Sequence, residues 1–196
     1  ELGLERLACW IAALLSERDP LRAGPGFRDA DFAHRIEVLH GRDAPPGMDV
    51  DSGAVRRVQR VIQQVERQLG RMRPSRAPAT PHLAEGDAVG LLLAFAYPDR
   101  IGRARESGGG RYALSGGRGA TFVEATALAR SEFIVVAALD AGEREARIQL
   151  AASLDPALLD EHFATAIHEG ASVAWDSKTG TAAARRVRRL GSLVLR

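Results

Sequence analysis

The sequence predicts an α+β protein in which an N-terminal helical bundle is followed by a small β-barrel. Up to Pro98, apolar residues recur with a helical period, whereas beyond it short β-type runs alternate with glycines and acidic turns. A chain of 196 residues can bury a real core, and its apolar runs are too short for a membrane helix. We therefore expect a soluble protein without membrane contact, with a helical domain at residues 1–98 and a barrel domain at residues 99–196.

Four segments of the first half are predicted to be helical. The first ends before Pro20, and its apolar positions are Leu4, Leu7, Ile11, Leu14 and Leu15. The second runs from Asp29, as its N-cap, to Leu39. The fourth covers about Asp87 to Ala96, and it is apolar on every side, so we expect it to be buried on most faces.

The third helix begins at Asp51 or Ser52 and has two contrasting faces. Its apolar stripe consists of Val55, Val58, Ile62, Val65, Leu69 and Met72. The opposite face carries Arg56, Arg60, Arg67 and Arg71. A solvated surface is the favoured interpretation of this basic face, with a binding site as the alternative.

The second half contains short strands that predict a barrel or a sandwich. The predicted strands are Ile101–Arg105, Arg111–Ser115, Phe133–Leu139, Ala146–Ala151, Ser172–Asp176 and Ala182–Val187, with Leu193–Leu195 as the start of another. One helix, which follows Ser153 or Asp155, interrupts them. A small barrel with a late helix is the layout of an OB-like fold, which commonly binds single strands through strand faces and loops.

The sequence argues against an active site of its own. A phosphate-binding P-loop needs a lysine followed by a hydroxyl residue after its last glycine, and Lys178, the only lysine, has no such loop before it. "KTG" at 178–180 resembles one box of serine hydrolases, but their nucleophile box needs a second lysine, so we interpret it as a hairpin turn. The histidines lack metal-ligand spacing and the carboxylates are scattered. We predict no catalytic, cofactor or metal site.

Charge and cysteine content add two expectations. The net charge is only +2, yet 26 of the 27 basic residues are arginine, which fits either a coding bias or selection for phosphate contacts. A lone Cys9 in an apolar stripe predicts an inert thiol and a cytoplasmic location. Because residue 1 is glutamate and no targeting segment follows, we expect this chain to be part of a longer protein.

The segment from Ala96 to Phe122 is the strongest candidate for binding. It contains seven glycines and five arginines. Glycines 108–110 allow a tight return that brings Arg103 and Arg105 close to Arg111, and clustered guanidinium groups repel unless anions lie between them. In "SGGRGA" the glycines let the backbone approach a ligand, and the Arg118 guanidinium can donate two hydrogen bonds to a phosphate. A solvated hairpin is the alternative interpretation.

Six separated blocks of the sequence resemble the carboxy-terminal half of the HrpB-type bacterial DEAH-box ATP-dependent RNA helicases. In order they are "LGLERLACWIAALLSERDPL", "GLLLAFAYPDRIGRAR", "GRYALSGGRGATF", "LARSEFIVVAALD", "EARIQLAASLD" and "VAWDSKTGTAAARRVRRLGSLVL". The most specific parts are "AYPDRI" and "GGRGA". One departure is Gly117, where the family pattern has an asparagine.

This resemblance implies a helicase-associated ratchet domain followed by an OB-like domain, beyond motor lobes that bind ATP and magnesium. The implied partners are single-stranded RNA or DNA and the motor lobes, and we expect a monomer. The predicted nucleic-acid-binding residues are Tyr97, Arg100, Arg103, Arg105, Arg111 and Arg118. Tyr97 suits packing at the interdomain joint as well as base stacking. The alternatives are a stand-alone OB-type binding or scaffold module with a protein partner and, with weaker support, a hydrolase that uses the "KTG" turn.

Overall fold

The computed structural model describes residues 3–24, 28–72, 83–105, 109–140, 145–176 and 180–195. The helices are α1 (Glu5–Ser16), α2 (Phe32–Leu39), α3 (Ser52–Met72), α4 (Glu85–Ala96) and α5 (Pro156–His162). The strands are β1 (Leu21–Ala23), β2 (Met48–Val50), β3 (Ile101–Ala104), β4 (Arg111–Leu114), β5 (Gly119–Phe122), β6 (Phe133–Leu139), β7 (Glu145–Ser153), β8 (Ile167–Asp176), β9 (Thr181–Leu190) and β10 (Leu193–Val194). The predicted α+β fold is confirmed. Within the described residues, no helix combines the length and apolarity that crossing a bilayer requires.

Aspartates cap three of the helices. Asp51 accepts hydrogen bonds from the amides of Gly53 and Ala54 at the start of α3, and Asp155 caps α5. The predicted cap of α2 is wrong, because Asp31 accepts the bond from the Ala33 amide at 2.9 Å. Asp29 instead directs its carboxylate to Arg35, so it lies in a salt-bridge cluster and outside the helix.

The helices form layers that end on the barrel. Helix α1 packs against both α3 and α4, and α4 lies across β6 and β7. The prediction that α4 is buried on most faces is confirmed, since six of its twelve residues are buried. Gly90 makes the close approach to the barrel possible, because a Cβ at this position would lie 2.0 Å from the carbonyl oxygen of Ser153.

Five strands close into a barrel in the order β3-β4-β5-β7-β6, with β6 pairing back onto β3. All neighbours are antiparallel except β5 and β7, which run parallel. The OB-like barrel is thus confirmed. Strand β5 was missing from the predicted set, because only four residues separate the Gly-rich turn from the next loop.

The three strands after α5 do not join the barrel. The expectation that the runs beyond residue 172 extend it is wrong, because β8, β9 and β10 form a separate sheet in the order β10-β9-β8. The reason is geometric: β7 already pairs with β5 on one side and with β6 on the other, so the closed barrel offers no free edge.

One hydrophobic cluster continues from the helices into the barrel. Ile101, at the start of β3, is fully buried in it, and Tyr97 packs against it from the end of α4. Phe95 lies at the margin, where its ring is 48% exposed and stacks on Phe163 at 5.3 Å. The helical and barrel parts therefore share packed side chains around the α4–β3 junction.

Tyr112 fills the middle of the barrel. Its ring is fully buried, and its hydroxyl lies 2.9 Å from both the Leu128 and the Ser131 carbonyl oxygens. Burial raises the pKa of Tyr112 from 10.0 to about 12, because the phenolate would lose its hydration. The neutral phenol is therefore part of the folded barrel at neutral pH.

Ionisation of Tyr112 should destabilise the fold in alkali. The pKa of the buried phenol is raised, so its contribution to stability is complete below pH 10 and is lost as the pH rises towards about 12. The expected loss of unfolding free energy is roughly 2–3 kcal/mol. Urea denaturation at several pH values measures it, with Tyr112→Phe as the variant that should lack this component. An equal alkaline loss in both proteins would contradict the assignment.

Candidate nucleic-acid interface

The outer face of the barrel carries a row of long polar side chains. Inside the barrel, Tyr112 pairs with Ala120, and Ala120 pairs with Ala146. The adjacent residues Arg111, Thr121 and Arg147 point outward, since side chains alternate between the faces of a strand. These residues line up across β4, β5 and β7, and Arg105, which directly follows β3, extends the line. We call Arg105, Arg111, Thr121 and Arg147 the arginine row.

Backbone pairing fixes the spacing of this row. The Arg105 amide donates to the Arg111 carbonyl oxygen at 2.9 Å, Arg111 pairs with Thr121, and Thr121 pairs with Arg147. Neighbouring strands lie about 4.8 Å apart, so Arg111 and Arg147 are about 10 Å apart at the backbone. Three arginines thus cross the barrel on one rigid support, and two of them, Arg105 and Arg111, are among the predicted site residues.

Arg147 was missed by the sequence reasoning, although a signal for it existed. In "EARIQL" the apolar residues alternate, and Ala146 and Ile148 are 1% and 5% exposed in the barrel interior. The strand period therefore directs Arg147 to the outer face, where it is exposed. It lies far from the Gly-rich segment in the sequence, and only the parallel β5–β7 pairing brings it into the row.

A carboxylate lies between two of these arginines. Glu145 Oε1 is 3.0 Å from Arg105 Nη1, and its Oε2 is 3.9 Å from Arg111 Nε. This anion relieves the repulsion that the sequence analysis expected between clustered guanidinium groups. Both ion pairs are solvent-accessible, so their contribution to stability is small and either arginine can turn to another anion.

Arg103 has a different environment from the row. Its Nη1 donates to the Val194 carbonyl oxygen at 2.9 Å, its Nη2 lies 3.3 Å from Glu132, and its guanidinium stands 5.9 Å from the Phe133 ring centre. These contacts connect β3 to the terminal sheet. The structure therefore gives Arg103 internal partners on two sides.

Tyr97 and Arg100 interact with each other at the α4–β3 junction. The Arg100 guanidinium lies 4.6 Å from the centre of the Tyr97 ring, and its Nη1 donates to the Ala137 carbonyl oxygen at 3.0 Å. One face of the Tyr97 ring is therefore covered. The pair connects the end of the last bundle helix to the barrel wall.

Arg118 lies in the turn between β4 and β5, and its side chain is exposed. The amides of the turn are already used, since those of Ser115, Gly116 and Gly117 donate to carbonyl oxygens within the chain at 2.8–2.9 Å. The glycines let the chain approach itself: a Cβ at Gly116 would lie 2.9 Å from the Asp99 carbonyl oxygen. The expected backbone cradle for a ligand is therefore occupied by the protein's own carbonyls, while the Arg118 side chain extends outward.

Gly117, the departure from the family pattern, has a positive φ of 91°. A Cβ there would lie 3.2 Å from the Ser192 hydroxyl oxygen, on the turn before β10. Both the left-handed backbone and the close neighbour suit glycine at this position.

The remaining candidate groups are inert or lie elsewhere. Burial raises the pKa of the Cys9 thiol, which disfavours the thiolate. In the described part of the chain, no three His, Cys, Asp or Glu residues come together as a metal site. The predicted "KTG" turn falls on residues 178–180, of which 178 and 179 lie outside the described residues; Asp176 and Thr181 pair on either side of it.

Comparisons with known proteins give one family model and several solved structures that match this chain. A family model described as the connector region of the ATP-dependent RNA helicase HrpB matches residues 166–196. The crystal structure of the E. coli DExH-box NTPase HrpB aligns with 97% of this chain at 27% identity and a TM-score of 0.67. A crystal structure of the Escherichia coli DEAH/RHA helicase HrpB also aligns with 97% of the chain, at 24% identity and a TM-score of 0.63.

The chain is much shorter than the matched solved structures. It spans 20% of the length of each of the two solved structures. A search of curated proteins found no match. The family model matches the end of this chain and the solved structures align with nearly all of it, so the chain is similar to a part of HrpB.

Proposed function

We propose that this chain lines the nucleic-acid channel of an ATP-dependent, DEAH-box, HrpB-like RNA helicase and holds single-stranded nucleic acid by its backbone. The observation that carries the proposal is the arginine row on the outer face of an OB-like barrel. Residues 1–98 and 99–196 act in this proposal as a ratchet domain and a strand-holding domain.

The chemistry of the row suits phosphates better than bases. Each guanidinium can donate two parallel hydrogen bonds to a phosphate, and the closed barrel fixes the three arginines in one line. The row contains no aromatic side chain on which a base could stack. Binding should therefore depend on charge and show weak sequence preference.

The six predicted residues divide into two proposed roles. Arg105, Arg111 and Arg118 have exposed guanidinium groups, and they contact the strand in this proposal together with Arg147. Arg100, Arg103 and Tyr97 bind other parts of the chain and keep the barrel, the bundle and the terminal sheet in a fixed arrangement.

Hydrolysis of ATP belongs, in this proposal, to motor lobes outside this chain. The chain contains no P-loop lysine and hydroxyl pair, so it supplies neither ATP nor magnesium ligands of that type. Its proposed partners are these motor lobes and the single strand, and it acts as a monomeric part of a cytoplasmic protein. Motor closure then moves a strand that the barrel prevents from slipping.

Replacing two arginines of the row tests the proposal. In Arg111→Gln/Arg147→Gln, single-strand affinity should fall similarly for unrelated sequences, and the slope of log K against log salt should flatten by about 1.4, or about 0.7 for each lost phosphate contact. Fluorescence anisotropy between 50 and 200 mM salt, a range used to resolve such slopes, measures both quantities. The melting temperature should change little, because both side chains are exposed.

The matched control is Arg6→Gln/Arg42→Gln. It removes the same charge from two exposed arginines of the helical half, whose ion-pair partners are Glu66 and Glu37. If Arg111→Gln/Arg147→Gln loses no more affinity than this control, the nucleic-acid strand binds away from the arginine row.

A further inference from the structure

Helix α3 presents a second, longer basic surface. Arg56, Arg60, Arg67 and Arg71 are exposed, and their spacings of four, seven and four residues place them within an arc of about 60° on one side of the helix. We call them the α3 stripe. Over 15 residues it extends about 22 Å along the helix axis.

Within the described residues, no acidic side chain compensates the charge of the α3 stripe. Among the described residues, no carboxylate forms an ion pair with any of its four arginines, and Arg67 donates only to the backbone oxygen of Gln63. The one acidic residue of α3, Glu66, lies on another side of the helix, near Arg6. Glutamines 63 and 64 occupy the middle of the basic surface and are exposed.

This arrangement opposes helix stability unless an anion is present. Arg56 with Arg60, and Arg67 with Arg71, are like-charge pairs at i and i+4, which repel across one helical turn. Three barrel arginines differ, since Glu132 lies beside Arg103 and Glu145 lies between Arg105 and Arg111. The four arginines of the α3 stripe therefore form a basic surface without an ion-pair partner among the described residues.

The α3 stripe is also separate from the arginine row. Helix α3 buries its apolar side against α1, α1 packs on α4, and α4 lies on the barrel strands β6 and β7. Two helical layers thus lie between α3 and the barrel. A ligand on the α3 stripe does not need the row for binding.

We propose that the α3 stripe binds the phosphodiester backbone of a nucleic acid at a second site, independent of the barrel. Planar guanidinium groups match phosphate oxygens, and the two glutamines between the arginine pairs can donate to phosphate or sugar oxygens. The face carries no aromatic ring, so contact with the backbone is independent of sequence. A rigid helix with a straight line of cations suits a strand or duplex edge that runs parallel to its axis.

The test uses Arg60→Gln/Arg67→Gln, with Arg6→Gln/Arg42→Gln as the control of equal charge. Glutamine has nearly the helix propensity of arginine, so α3 should remain intact, and circular dichroism checks this. Binding of a fluorescent single strand and of a duplex of the same sequence is measured over a range of salt. The double variant should flatten the salt slope by about 1.4 for the single strand or about 1.8 for the duplex. Relative to 1 M salt, binding near 0.1 M should weaken about 25-fold or about 60-fold, respectively.

Three outcomes decide the matter. A loss in Arg60→Gln/Arg67→Gln that exceeds the control supports the site, and the larger loss identifies the single strand or the duplex as its ligand. Affinity equal to that of the control overturns it. Polyglutamate that competes as well as nucleic acid, at equal charge, also overturns it, because the surface would then fit an acidic protein. An unchanged salt slope in the barrel variant Arg111→Gln/Arg147→Gln would contradict the proposed function of the arginine row and would leave the α3 site untouched.

Discussion

Replacing Arg35 by alanine is expected to lower the free energy of unfolding by about 3–5 kcal/mol at neutral pH. The Arg35 side chain is 5% exposed and forms ion pairs with Asp19, at 2.8 Å, and with Asp29. It also donates to the backbone oxygens of Asp29 and Asp31, at 2.7 and 2.8 Å. Alanine would leave the buried Asp29 carboxylate without its guanidinium partner and with only the His34 ring nitrogen at 3.0 Å, and loss of the cation beside a buried carboxylate is costly.

The loss should extend to the junction between helices and barrel. The segment that Arg35 holds includes Ala30, whose carbonyl oxygen accepts a bond from the Ala151 amide of β7 at 2.8 Å. Burial already raises the pKa of Asp31, so in the variant the destabilisation should diminish as the pH falls and Asp31 takes up a proton.

Urea denaturation of Arg35→Ala measures this effect, and Arg42→Ala is its control. Arg42 follows the same helix, but its ion pair with Glu37 is exposed, so its removal should cost less than about 1 kcal/mol. Arg35→Lys keeps the charge without the guanidinium fork and should fall between the two. A loss below about 1 kcal/mol for Arg35→Ala would mean that the desolvation cost of the cluster cancels its attraction.

Gly90→Ala should also destabilise the protein, by about 3 kcal/mol or more. The new Cβ would lie 2.0 Å from the Ser153 carbonyl oxygen, and a backbone atom cannot turn away as a side chain would. Helix α4 must then move off the barrel, which disturbs buried contacts around Leu91 and Leu93. The intrinsic helix preference of alanine, about 1 kcal/mol, offsets only part of this cost.

Gly86→Ala is the matched control in the same helix. A Cβ at Gly86 meets no atom within 4 Å, so alanine there should be neutral or slightly stabilising. Thermal and urea denaturation of both variants compares them. If both substitutions had the same effect, the close packing of α4 on β7 would be wrong.

The helices could be predicted from the sequence because their information is local. The stripe Val55, Val58 and Ile62 repeats at helical spacing, and in the structure these residues lie in or against the core of the bundle. The start of α2 could not be fixed in this way. Asp29 and Asp31 are equally suitable caps in sequence, and only the ion pair of Asp29 with Arg35 shows that Asp29 has another role.

The arrangement of the strands depends on pairing between distant residues, and this limited the prediction. The short strand β5 could not be recognised because its four residues directly follow a glycine-rich turn. The terminal strands were instead expected in the barrel that β5 helps to close. Strand periodicity gives the face of each side chain but not its neighbour across the sheet. This is why Arg105 and Arg111 were expected together and Arg147 was not included.

Internal partners were equally hidden from the sequence. Arg103 binds the Val194 carbonyl oxygen, 91 residues away, and the amide of Gly116 donates to Asp99 within a turn that resembled a ligand cradle. Glycine and arginine content predicted a close backbone approach and a charged surface, and both exist. Tertiary contacts decide which of these arginines are exposed to solvent and which bind other parts of the chain.

The measurement that tests the central claim most directly is binding of the unaltered chain to two single strands of unrelated sequence over a range of salt. The strand-holding proposal predicts similar affinities for both strands and a linear fall of log K with log salt, with a slope of about −2 or steeper for three or more phosphate contacts. No detectable binding at low salt, or binding that is insensitive to salt and selective for one sequence, would contradict it.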